Sequence, residues 1–132
     1  MDFSEQIIEC DELRKTICKR AEEILRLAIV EAPNSFRVSN RFKQFSDYTH
    51  LESFHIRNGV IHFKHCWYNE TAMNLYDEFI PVKWFDMTDE ELVTLFHKLE
   101  ENNRKIVQQK ELEEKEKRRQ EYLKLKEEFD KE

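Results

Sequence analysis

Apolar residues return at every third or fourth position from Ser4 to about Ala32. Ile7, Leu13, Ile17, Ala21, Ile24 and Ala28 line one side, and Glu9, Glu12, Lys15, Lys19, Glu22, Glu23 and Arg26 fill the remainder. The spacing predicts an amphipathic helix with Ser4 as its N-cap and with Asp2 and Glu5 at the positive end of its dipole. Leu25, Leu27, Ile29 and Val30 widen the stripe, so the final turns are expected to be buried on most sides, and Pro33-Asn34 stops the helix.

The period then drops to two. Phe36, Val38 and Phe42 alternate with Arg37, Ser39, Arg41 and Lys43, which reads as a half-buried strand, although Val38, Phe42 and Phe45 also suit helical spacing. Ser46–His50 turns the chain into two alternating runs joined by Asn58-Gly59, which contains the only glycine of the chain. Asn-Gly meets the φ > 0 demand of a type I′ turn and predicts a hairpin. Its register pairs Arg57 with Val60, Ile56 with Ile61, His55 with His62, and Phe54 with Phe63. Phe54, Ile56, Ile61 and Phe63 then share one face, and His55, Arg57, Val60, His62 and Lys64 the other. The second strand runs to about Tyr68, residues 69–74 form a polar loop, and a further strand from about Leu75 to Val82 carries Pro81 near its end or on an edge. Trp84, Phe85 and Met87 cover the sheet.

Thr88-Asp89-Glu90-Glu91 has the form of a capping box. Leu92, Leu95, Phe96, Leu99 and Ile106 predict a core-facing helix whose apolar stripe ends at Val107. From Gln108 to Glu121 nearly every residue is charged, with acid-before-base pairs four apart at Glu111–Lys115, Glu113–Lys117 and Glu114–Arg118. Apolar residues return at Tyr122, Leu123, Leu125 and Phe129. Unbroken helix from Thr88 to the end would be roughly 67 Å long, more than a small domain covers. The pattern predicts an α+β chain: an N-terminal amphipathic helix, a small antiparallel sheet of three or four strands, and a long C-terminal helix. One domain is expected over 1–107, with a charged helical extension over 108–132.

Composition narrows the function classes. Against 28 acidic residues stand 22 basic ones, a net charge of −6, which disfavours general attraction to nucleic acid or anionic membranes. A single glycine rules out a glycine-rich phosphate cradle. No run approaches the ~18 apolar residues of a membrane span, and MDFSEQIIE lacks the layout of a signal peptide. Cys10, Cys18 and Cys66 are odd in number and without CxxC spacing, so free thiols in a reducing cytoplasm are expected. On that reading Asn69-Glu70-Thr71 is not a glycosylation site.

Four candidate sites remain. His50, His55, His62, His65 and Cys66 crowd the hairpin, and the register sets His55 opposite His62 within reach of one ion. His65 faces the other way, Cys66 is roughly 13 Å from His62 along the strand, and no third ligand follows, so neither metal nor cofactor is expected. Cys66 near histidines imitates a thiol dyad, yet nothing local supplies an oxyanion hole, and no enzyme is expected. Arg37, Arg41 and Lys43, interleaved with Phe36, Phe42 and Phe45, could hold single-stranded nucleic acid; alternation predicts instead that the phenylalanines are core and the cations a solvated face. Tyr122, Leu123, Leu125 and Phe129 form the fourth candidate, a seam for a partner or a second copy.

The order of parts resembles small phage-encoded accessory proteins. A charged helix leads to the aromatic hairpin FHIRNGVIHFKH, then to IPVKWF running into the capped MTDEEL, and a charged helix ends in EYLKLKEEF. The resemblance implies a non-enzymatic protein of the bacterial host cytosol, an inhibitor of a host defence or regulatory protein acting by surface occlusion. The expectation is thus a macromolecule-binding protein with a protein partner. A single-stranded nucleic-acid module and a structural protein that dimerises through its C-terminal helix are the alternatives, and no membrane association is expected.

Overall fold

The Asn58-Gly59 turn fixes the centre of the molecule. In the computed structural model Asn58 has φ 53° and Gly59 φ 74°, the two left-handed positions that a type I′ bend requires. The hairpin joins β1 (Ser53–Arg57) to β2 (Val60–Tyr68), and β3 (Met73–Pro81) adds antiparallel on the far side, giving the order β1-β2-β3. The structure describes residues 2–46, 49–68 and 73–131, with the side chains of 67 and 68 also outside the description. Asp47 and Tyr48 of the expected turn, and residues 69–72 of the expected loop with its sequon, lie outside the described residues.

Register follows the turn. Arg57 faces Val60, Ile56 faces Ile61, His55 faces His62 and Phe54 faces Phe63, as the spacing predicts. Ile61, Phe63 and Ile80 point inward and are buried, while His55, Arg57 and Lys64 point to solvent. Pro81 ends β3 opposite Val60 on an edge strand, where its missing N–H costs no ladder bond. β3 starts at Met73, two residues before the expected Leu75.

Two helices close the core. α1 (Phe3–Glu31) buries Cys18, Ala21, Ile24, Leu25 and Ala28, and α3 (Asp89–Asp130) buries Leu92 and Phe96. Between sheet and α3, the 3-10 turn Val82–Asp86 drives Trp84 into the core, with Phe85 and Met87 packed beside it. The Thr88 capping box forms in full: Thr88 Oγ1 accepts from the Glu91 amide at 3.2 Å, and the Glu91 carboxylate accepts from the Thr88 amide at 3.3 Å.

Four local expectations are corrected. Asp2, not Ser4, caps α1, because its carboxylate reaches the Glu5 amide at 2.8 Å and leaves Ser4 inside the helix. Residues 36–43 are not a strand. Ser39 accepts from the Phe42 amide and starts the short helix α2 (Asn40–Gln44), which turns Phe42 fully into the core, so the sheet has three strands. Ile7, Leu13, Val30 and Ile56 lie on the expected faces or ends but remain exposed. Ile106 is 54 % exposed, so α3 leaves the body earlier than its stripe predicts.

The point of departure is measurable. Phe96→Ala should cost about 3–5 kcal/mol in urea unfolding, because it empties a fully buried site. Ile106→Ala, on the same stripe, should change stability by less than about 0.5 kcal/mol. Gly59→Ala meets no steric neighbour yet should cost about 1–2 kcal/mol from its positive φ alone.

Candidate interaction surface

α1 and α3 run parallel, since rising positions on one meet rising positions on the other. Arg20 donates to the Asp89 carboxylate at 2.6 Å and to the Met87 carbonyl at 2.9 Å. Farther along, Glu31 meets His97, and the Asn34 amide donates to Glu100 at 2.7 Å. Ser35 adds a bond from its hydroxyl to the Leu99 carbonyl at 3.1 Å. The pairing is staggered, so each helix has an end without the other beside it. α1 contributes no buried residue before Cys18, and Phe3, Ile7, Ile8 and Leu13 are exposed. α3 contributes none after Phe96, and every described residue from 104 to 131 is exposed.

Residues 104–130 therefore form about 40 Å of helix with no cover from the body. Local ion pairs and a hydrogen bond support it: Glu114 and Arg118 pair at 2.9 Å as their spacing predicts, Arg119 meets Glu116 at 3.9 Å, and the Gln109 amide donates to Glu113. Each such exposed pair adds only a few tenths of a kcal/mol. Tyr122, Leu125 and Phe129, at steps of three and four, share one face, and Leu123 lies about 100° round from Tyr122. All four stand in solvent, Phe129 at 81 % exposure. Leu112, two to three turns earlier, is exposed as well.

The basic candidates lie between α1 and β1, on and just before α2. Arg37 and Lys43 are exposed, and the Arg41 guanidinium sits 4.0 Å above the Phe45 ring, a cation–π contact within α2 and its cap. The accompanying aromatics divide. Phe42 is buried, and Phe36 packs on Trp84 at 4.9 Å and on Phe96 at 6.3 Å, so both serve the core; Phe45 alone of the three is exposed.

Every histidine finds a partner, and most partners are carboxylates. His50 Nδ1 lies 2.9 Å from Glu22, and His97 meets Glu31. His65 is buried with Glu78 at 2.5 Å, edge-on to Phe42 and stacked on Tyr76. The Glu78 carboxylate also accepts from the Ser39 amide and hydroxyl, at 2.8 and 2.5 Å. This is not a catalytic triad, because the serine hydroxyl binds the acid and not the imidazole. It is a buried latch that satisfies Glu78 and fixes the start of α2. On the outer face His62 bonds Asp77 and touches His55.

Among the described residues, no group of three or more His, Cys, Asp or Glu is placed to hold a metal ion. The described thiols are free; Cys10 and Cys66 are exposed, and burial pushes the Cys18 thiol up. No helix, among the described residues, is long and apolar enough to cross a membrane. Comparison of the chain with protein-family models, with curated proteins and with solved structures finds no match.

The overhang of α1 and the carboxylate partners were not read from the sequence. Parity carried a usable signal for the latter: with Ile80 inward, Glu78 must also point inward and Asp77 outward.

The clamp at Asn34 sets where α3 leaves the body and carries a pH signature. The Asn34 backbone amide, with smaller help from Ser35 and the Asn34 side chain, holds the Glu100 carboxyl below the usual carboxylate range. A lowered folded value stabilises the fold above the unfolded value and is lost as pH falls through the folded one. Glu100→Gln should therefore be less stable than the parent at neutral pH, and the two denaturation midpoints should converge in acid below the Glu100 folded value.

Proposed function

We propose that this chain is a non-enzymatic macromolecule-binding protein that docks a protein partner on the projecting part of α3, with Tyr122, Leu123, Leu125 and Phe129 as the contact. One observation supports this most: four large apolar side chains stand in water at the far end of a helix that the body does not cover. Burying each on a partner is worth about 1.5–3 kcal/mol. Nothing in a charged, well-paired helix requires them for solubility. A groove that accepts one face of an amphipathic helix reads such i, i+3, i+7 anchors.

In its narrower form the partner is a host defence or regulatory protein, and the chain a phage inhibitor that works by occlusion in the host cytosol. Supporting this are the order of elements, the free thiols, and a net charge of −6 suited to covering a basic, nucleic-acid-binding groove. The Arg41–Phe45 contact favours a second reading, a small single-stranded nucleic-acid module using Arg37, Arg41 and Lys43. Burial of Phe42 and the packing of half-buried Phe36 on Trp84 remove two of the rings that it would stack on bases, and the protein partner is preferred.

A photoreactive phenylalanine analogue in place of Leu125 tests the docking site. After irradiation in host lysate it should give one discrete adduct that survives nuclease, whereas the same analogue at Lys117 should give little. Adding Tyr122→Ser and Phe129→Ser should weaken capture by at least about 100-fold. An adduct of twice the chain mass would mean a homodimer instead, and equal labelling at both positions would remove the docking site.

A further inference from the structure

The outer face of the hairpin carries a second feature that the docking surface does not use. His55 Nε2 and His62 Nδ1 stand 3.3 Å apart across the strands. Two imidazole nitrogens bound to one tetrahedral zinc at about 2.0–2.1 Å are separated by about 3.3–3.4 Å. A right-angled pair at the same bond length would be nearer 2.9 Å, so the spacing suits tetrahedral coordination.

The rings are also held. Ring register comes from the Asn58-Gly59 turn, which sets His55 directly opposite His62. His62 stacks on Phe79, its cross-strand neighbour, with centroids 4.4 Å apart and planes 13° from parallel. His55 lies edge-on to His62 at 4.7 Å. On its other side His62 Nε2 is 2.6 Å from the Asp77 carboxylate. An ionised carboxylate only accepts, so Nε2 carries the proton, and in the neutral ring Nδ1 presents a lone pair toward His55. A carboxylate on the distal nitrogen is the arrangement that orients histidine ligands and raises their basicity.

We infer that His55 and His62 form a two-histidine site for zinc or a similar divalent transition metal, with Asp77 as the positioning residue that fixes the His62 tautomer. Metal binding moves the single His55 proton from Nε2 to Nδ1, so that His55 Nε2 and His62 Nδ1 both present lone pairs to a metal set off the line between them. Two protein ligands leave the remaining positions to water. Arg57 and Lys64 share this face and oppose a cation; Asp77, opposite Lys64 in the register, offsets them. The third-ligand requirement that set the histidines aside in the sequence reading does not apply to an open site of this kind. Such a site also leaves α3 and its apolar positions untouched, so it stands or falls independently of the docking reading.

The test is calorimetric titration of the intact chain with zinc chloride, alongside nitrogen-15 spectra of the imidazoles. One zinc per chain should bind, with a coordination shift on His62 Nδ1 and not on Nε2. His55→Gln and His62→Gln should each weaken binding at least tenfold; His55→Gln, at an exposed ring, should leave the zinc-free melting temperature unchanged, and His62→Gln should lower it only slightly through the lost Phe79 and Asp77 contacts. Asp77→Asn should weaken it less and divide the His62 signal between its two nitrogens. His50→Gln, at a histidine on a different part of the surface, should bind as the parent does. Zinc binding that survives His55→Gln and His62→Gln, or no binding at millimolar zinc, would overturn the assignment, and so would a coordination shift at His62 Nε2.

Discussion

Phe96 is the last side chain by which α3 is buried in the body. It packs against Trp84 at 5.3 Å with rings near perpendicular and against Phe36 at 6.3 Å, and those two rings also touch each other at 4.9 Å. Trp84 reaches that place because the 3-10 turn after Pro81 folds the chain off the sheet edge, and Phe36 because the chain doubles back after α1. Three separate stretches thus meet at one aromatic contact. Beyond it the body offers α3 the half-buried packing of Leu99 and a polar clamp at Asn34, Ser35 and Glu100. What happens to the remaining helix follows from that limit, since about 40 Å of it has no apolar surface to lie on.

Helices without tertiary cover hold together through local terms alone. Ion pairs such as Glu114–Arg118 contribute a few tenths of a kcal/mol each, and the capping box lies far away at Thr88. A stretch of this sort suits charged residues throughout. The return of Tyr122, Leu123, Leu125 and Phe129 at its end runs against that preference and is what motivates the proposed contact role.

How much of this was legible in the sequence depends on the range of each interaction. The hairpin and the capping box are local, fixed by residues within a few positions, and both form as read, down to His55 opposite His62. The apolar cluster at the end of α3 was legible for the same reason. The path of residues 36–43 was not, because Ser39 is held by Glu78 from 39 positions away, and that bond favours a capped turn where alternation alone favours a strand. Exposure of Ile7, Leu13 and Ile106 was hidden for another reason: periodicity says which side of a helix is apolar, not how far the body beneath it extends. Asp77 behind His62 needed the β2–β3 register, which no short-range turn signal announced.

Amide hydrogen exchange, resolved along α3, reads where the body stops supporting the helix and whether a partner covers the rest. In the isolated chain, residues 92–99 should exchange slowly with the core and residues 108–130 should exchange fast, at every protein concentration. On addition of the captured partner, protection should rise at 120–130 with no change at 92–99. Slow exchange across 108–130 in the isolated, dilute chain, or no gain at 120–130 in the complex, would contradict the account.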